Sequence, residues 1–250
     1  MNSSGDYRNL PVISLINIGT EAAFHGAPAA GLAPLRRAVE QATELVDLAQ
    51  SRWLLGVCQA SLGRFGEARE VLESLINESP IPDRWTALAH TTVASTLRQE
   101  NRHAEAQRHD EQAFAIADES TVFDARIGLA ADAVGQLDLA TAQEHWGMAM
   151  GVARPEWRQQ VRVAWVEAEI ALMQRRPEHA LTVSLAAAET AHIAQAPRHR
   201  AKALLFAGIA ARESGALQQA HQLLTESLLI SEELELAPLE RPARAALATI

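Results

Sequence analysis

Leu55–Pro80 reads LGVCQASLGRFGEAREVLESLINESP, two apolar-periodic segments divided at Gly63. Leu55, Gly56, Gln59 and Leu62 recur at helical spacing before the break, and Phe65, Ala68, Val71, Leu72 and Leu75 recur after it. Gly63-Arg64 is the kind of dipeptide that ends one helix and turns the chain into the next. Pro80 and Pro82 close the second segment and prepare another start. The stretch therefore predicts a helical hairpin.

The same pattern recurs on both sides. Upstream, Ile18-Gly19, Gly26, Gly31, Leu35 and Ala38 form a first, weaker unit, with Pro28 near the start of its second helix. Downstream, Asp83 caps a third unit carrying Val93-Ala94, Leu97, Asn101, Ala106 and Ala113. Asn101 stands in for glycine at the turn, since asparagine also tolerates the left-handed backbone. A fourth unit has Ile127-Gly128, Gly135-Gln136, Leu137 and Ala140; a fifth has Val166 to Ala171, Arg175-Arg176-Pro177, Ala180 and Ala187. The sixth has Ala207-Gly208, Gly215, Leu217, Ala220, Leu224 and Ser227. Leu239–Ile250 reads as a capping helix whose start is limited by Pro242.

Two small-residue positions recur through all these units. Gly19, Gly56, Ala94, Gly128, Ala168 and Gly208 mark the first helices; Gly31, Ala68, Ala106, Ala140, Ala180 and Ala220 mark the second. Antiparallel helices joined by a short turn approach closely only where small residues meet at the crossing. Leu-Gly, Gly, Ala, a large apolar residue and Pro at these offsets resemble a tetratricopeptide repeat, here Leu55-Gly56, Gly63, Ala68, Leu72 and Pro80. The resemblance implies an all-α, right-handed α-solenoid of about six hairpins plus a C-terminal capping helix. Residues 1–10 are expected to be a loosely ordered N-terminus, and residues 11–250 one solenoid domain. The gap from Ala106 to Ala140 equals the family period of about 34 residues; other gaps are longer. The extra length falls in Pro-containing connectors, SPIPD, VARPEW, AQAPRHR and ELAPLERP. Such stretched solenoids are similar to those of bacterial transcription regulators, although no GxxxxGK[ST] loop or helix-turn-helix accompanies them here.

Composition fits this reading. Nearly half of the 250 residues are hydrophobic while aromatics make up 4%, which suits Ala- and Leu-rich helices better than strands. A net charge of −9 argues against a general binder of nucleic acid or acidic membrane. The single cysteine, Cys58, excludes an intrachain disulfide framework and a cysteine zinc site, and fits a reducing cytoplasm as a buried, inert side chain. The N-terminal stretch has no basic start followed by a long apolar core, and no run approaches the length of a membrane span.

Motifs for chemistry are scarce. Nine histidines include no HExxH and no pair at i, i+4; His103, Glu105 and His109-Asp110 come closest to a cluster. No GxSxG and no Gly-rich strand-to-helix loop is present. The chain is therefore read as a non-enzyme, with no cofactor and no metal expected. Trp85 and Trp157 are read as packing anchors between units.

The resemblance implies that one face of each first helix lines a concave peptide groove. Carried onto this chain, its residues include Trp53, Arg98, Arg126, Arg162, Trp165, Lys202 and Arg212, a basic surface on an acidic chain. The leading expectation is a cytoplasmic scaffold or adaptor, bacterial by its Ala- and Arg-rich usage, that binds a segment of an acidic partner protein there. A ligand- or peptide-sensing module of a transcription or signalling system is the alternative, and an enzyme with an unrecognised site the least favoured. Self-association through an uncovered end is open.

Overall fold

The structure, a computed structural model, describes residue 7, residues 9–78 and residues 81–250. Most of the segment expected to be loosely ordered, and Pro80 with its helix-closing role, lie outside the described residues. Tyr7 and Leu10, which are described, pack against the first core cluster.

Among the described residues the chain forms thirteen α-helices and no strand. They pair as α1 (Val12–Phe24) with α2 (Pro28–Gln41), α3 (Leu45–Ser61) with α4 (Phe65–Ile76), and α5 (Asp83–Gln99) with α6 (His103–Ile116). Then come α7 (Val122–Gly135) with α8 (Leu139–Val152), α9 (Trp157–Met173) with α10 (Pro177–Ile193), and α11 (Pro197–Glu213) with α12 (Leu217–Glu233). The last, α13 (Ala237–Leu247), packs on α12 and α11 and buries Ala243 and Ala246 beside Leu205 and Leu224. It starts earlier than expected, with Pro238 in its first turn and Pro242 inside it. The architecture is an α-solenoid of six hairpins followed by one further helix.

Five of the six hairpin turns, all but the first, share one geometry. A single residue adopts positive φ: Gly63 at 77°, Asn101 at 59°, Leu137 at 61°, Arg175 at 58° and Gly215 at 83°. Five residues after each stands a fully buried alanine, Ala68, Ala106, Ala142, Ala180 and Ala220. This corrects the fourth unit, where the turn was expected at Gly135 and the buried alanine at Ala140. Ala140 is exposed, and Ala142 takes its place. Gly135 is small for a different reason: a Cβ there would lie 2.1 Å from Nδ1 of the His103 imidazole. With the register corrected, successive buried alanines are 38, 36, 38 and 40 residues apart, so the repeat is longer than 34 throughout.

Four residues beyond the small residue of the second helix, a leucine fills the hairpin. Leu35, Leu72 and Leu224 seat against Gly19, Gly56 and Gly208, where an added Cβ would lie 2.3, 2.6 and 2.5 Å from the leucine side chain. In the third hairpin the same slot holds Asp110, fully buried. Gly128 leaves room for its carboxylate, which Arg98 contacts at 2.5 Å while reaching Asp132 at 2.9 Å.

The core is a line of clusters rather than one centre, as expected where each repeat buries its face on the next. Each odd-numbered helix touches the next odd-numbered helix as well as its even-numbered neighbours, so the odd helices form the inner wall. The superhelix also comes round onto itself. His25, just past α1, donates from Nδ1 to the Ala194 carbonyl at 3.0 Å, and its ring lies 5.6 Å from Trp157. Arg158 lies 5.1 Å over the Phe24 ring. At Gly63, the turn of the second hairpin, an added Cβ would be 3.3 Å from Ala237 Cβ, the first residue of α13.

Candidate functional site

The residues expected to line a groove have three different fates. Trp53 is core: 8% exposed, between Phe24 and Trp85, with Nε1 donating to Thr92 Oγ1 at 3.1 Å. Four of the arginines fasten the chain to itself. Arg98 bridges Asp110 and Asp132. Arg162 pairs with Asp124 of α7. Arg126 lies 3.9 Å over the Phe114 ring of α6 and 3.3 Å from His145 of α8, which places it against even-numbered helices and off the inner wall. Arg212 donates to Thr249 and Glu213 near the C-terminus. These positions carry charge because neighbouring hairpins need polar ties.

Trp165 and Lys202 do converge, on the part of the inner wall built by α9 and α11. Lys202 Nζ sits 4.3 Å over the Trp165 ring and 5.5 Å over Phe206. His199 also stacks on Trp165 at 5.5 Å and 12°, and Trp157 meets His199 edge-on at 4.9 Å. Successive inward positions along α9 (Trp157, Arg158, Arg162, Trp165, Glu169) thus meet Arg198, His199 and Lys202 from the first two turns of α11. The tip of α1 covers this corner through Phe24 and His25.

The electrostatics are strongly cationic. Burial, together with neighbouring Arg158 and Arg162, pulls the Arg198 guanidinium down to about 10. Burial likewise pulls the Lys202 ammonium down to about 8, partly opposed by Glu169. Glu169 is held above the usual carboxylate range by burial, against the pull of Lys202 and Arg98. His199 is held well below the ordinary imidazole value by burial and by Arg198, Arg158, Arg162 and Lys202, so it is neutral. Cys58, in α3, is within electrostatic reach of Arg198, yet burial pushes its thiol up to about 12 and leaves it an inert part of the core.

Sequence reasoning missed Arg158, Arg198 and His199. Arg198 and His199 sit in AQAPRHR, read as a spacer; the legible signal was two basic residues directly after a proline able to open a helix. Trp157, expected to be a packing anchor, is half-buried and belongs to this aromatic wall.

No group of three or more His, Cys, Asp or Glu side chains poised for a metal occurs among the described residues. Of the closest histidine cluster, His109 faces His90 at 3.1 Å, while His103 lies under Gly135. No described helix is long and apolar enough to cross a membrane.

No family model and no curated protein matches this chain. Among solved structures, it is similar to the crystal structure of BtubC (BKLC) from P. vanneervenii, with a TM-score of 0.51 over 90% of this chain and 93% of that one. Sequence identity is 13%, so the likeness is one of fold.

Proposed function

We propose that this chain is a non-catalytic interaction module, a scaffold or adaptor that binds an acidic segment of a partner on the inner wall at α9 and α11. The observation that carries the reading is the concentration of Arg158, Arg162, Arg198 and Lys202 beside Trp157 and Trp165, on a chain with a net charge of −9. A half-buried aromatic such as Trp157 supplies contact area at low entropic cost, and guanidinium groups supply directional bonds to carboxylates or phosphates. The site is smaller than the groove expected from sequence, because the arginines of the earlier hairpins are committed to internal partners. A regulatory, ligand-sensing role is the second reading, favoured by the tip of α1 lying over the site. An occupant there would touch both ends of the superhelical turn.

Affinity capture from a bacterial lysate tests the first reading, comparing wild type with Arg158→Gln/Lys202→Gln and with Leu229→Gln on the exposed face of α12. The expected result is a partner held by wild type and Leu229→Gln and lost from the double variant, all three showing equal helical circular dichroism. Equal capture by all three, or loss in Leu229→Gln alone, would move the binding face off the inner wall.

A further inference from the structure

The charges at this corner do not balance. Arg162 is held by Asp124, and Arg158 reaches the same carboxylate at 3.6 Å. Among the described residues, Arg198 has no carboxylate within ion-pair distance. Its Nη2 lies 3.4 Å from His199 Nε2, and its Nε is buried without a partner. Lys202 has aromatic rings beneath it but no ion pair among the described residues. Two further polar atoms are buried and unmatched. Trp165 is 9% exposed and its Nε1 meets no acceptor; His199 is 2% exposed and its Nδ1 meets none either. Because the Arg198 guanidinium donates toward Nε2, the neutral imidazole carries its proton on Nδ1, an unused donor. The first turn of α11 adds the positive end of a helix, with no acidic residue and no side-chain cap.

Half-buried cations and buried donors are normally matched, so a cluster this unmatched is built for something that completes it. Asp124 is taken up by Arg162 and Arg158, and Glu169 makes no ion pair among the described residues. More than one positive charge is left over, which a single carboxylate would not neutralise. A guanidinium fork suits the tetrahedral oxygens of a phosphoryl group, and an ammonium adds a point charge.

We propose that this corner is an anion site for a phosphoryl group, held by Arg158, Arg198 and Lys202 with the N–H groups of His199 and Trp165. The proposal rests on the inner wall being the binding face. The group belongs either to a free phosphorylated compound or to a phosphorylated side chain of a partner. Its binding draws protons onto Lys202, whose lowered value puts it near half-charged at about pH 8, so affinity falls as pH rises through that region.

The test uses the full chain and three probes: inorganic phosphate, phenyl phosphate and a short phosphoserine peptide, each against sodium chloride at equal ionic strength. Saturable binding by calorimetry, and a melting-temperature rise beyond the chloride control, are expected for at least one probe. Arg198→Gln is expected to weaken that binding by at least about ten-fold, and to melt higher than wild type in phosphate-free buffer. Lys202→Gln, expected to abolish the pH dependence above about pH 8, serves if Arg198→Gln fails to fold. Binding of either small probe assigns a free compound; binding of the peptide alone assigns a partner side chain. No response beyond chloride to any probe, or unchanged affinity in the variants, overturns the proposal. Because these titrations contain no partner protein, their failure leaves the capture experiment standing, and failed capture leaves the titrations standing.

Discussion

Asp110 occupies the slot that leucine fills in three other hairpins, and that exchange sets the chemistry of the middle of the molecule. Two buried carboxyls share one guanidinium. Burial works against the Arg98 charge, but Asp110 and Asp132 together hold it above its ordinary value. Burial also raises both carboxyls, with Arg98 opposing. Arg98→Met removes the cation that compensates two buried acids and is expected to cost about 3–5 kcal/mol, read from the urea midpoint. The pH dependence follows from the raised values. A carboxyl whose folded value lies above its unfolded value of about 4 contributes fully below that pH and loses its contribution as pH climbs through the folded value. Asp110→Asn is therefore expected to gain stability relative to wild type as pH rises from about 4 towards neutrality; a relative loss over that range would mean Asp110 is stabilised as the carboxylate.

The helices and turns were largely legible in the sequence, because hairpin packing demands small residues at fixed offsets from a left-handed turn. Gly63, Asn101 and Gly215 announce that turn chemically; Leu137 does not. A leucine 80% exposed at φ 61° carries none of the signals for its conformation, and Gly135 two residues earlier carries the wrong one. Steric demand from His103, not backbone freedom, explains that glycine. Leu137→Asn suits the observed backbone and removes little buried surface, so thermal melting is expected to show stabilisation of about 0.5–1 kcal/mol. The site was less legible than the elements. The family resemblance placed Arg98, Arg126, Arg162 and Arg212 on one face of the first helices, but whether each meets an acid depends on residues of other helices. Asp110 beside Arg98 and Asp124 beside Arg162 show no local sign of that pairing.

At the scale of the molecule, the closure of the superhelix separates this chain from a simple stack. Hydrogen bonding of His25 to Ala194, and the contacts of Phe24 with Arg158 and of Gly63 with Ala237, join early hairpins to late ones. A net hydrogen bond of this kind contributes about 1 kcal/mol. His25→Ala is expected to leave helicity unchanged while increasing the radius of gyration in small-angle scattering; an unchanged radius would assign the closure to the inner-wall packing alone.

An open solenoid tolerates gain or loss of a repeat, since each unit knows only its neighbours. A coil whose first turn rests on its second has a fixed phase. Deleting one internal hairpin would leave every nearest-neighbour interface available, yet would rotate His25 away from Ala194 and Gly63 away from Ala237. The number of hairpins between these points is thus as much a part of the specification as any side chain.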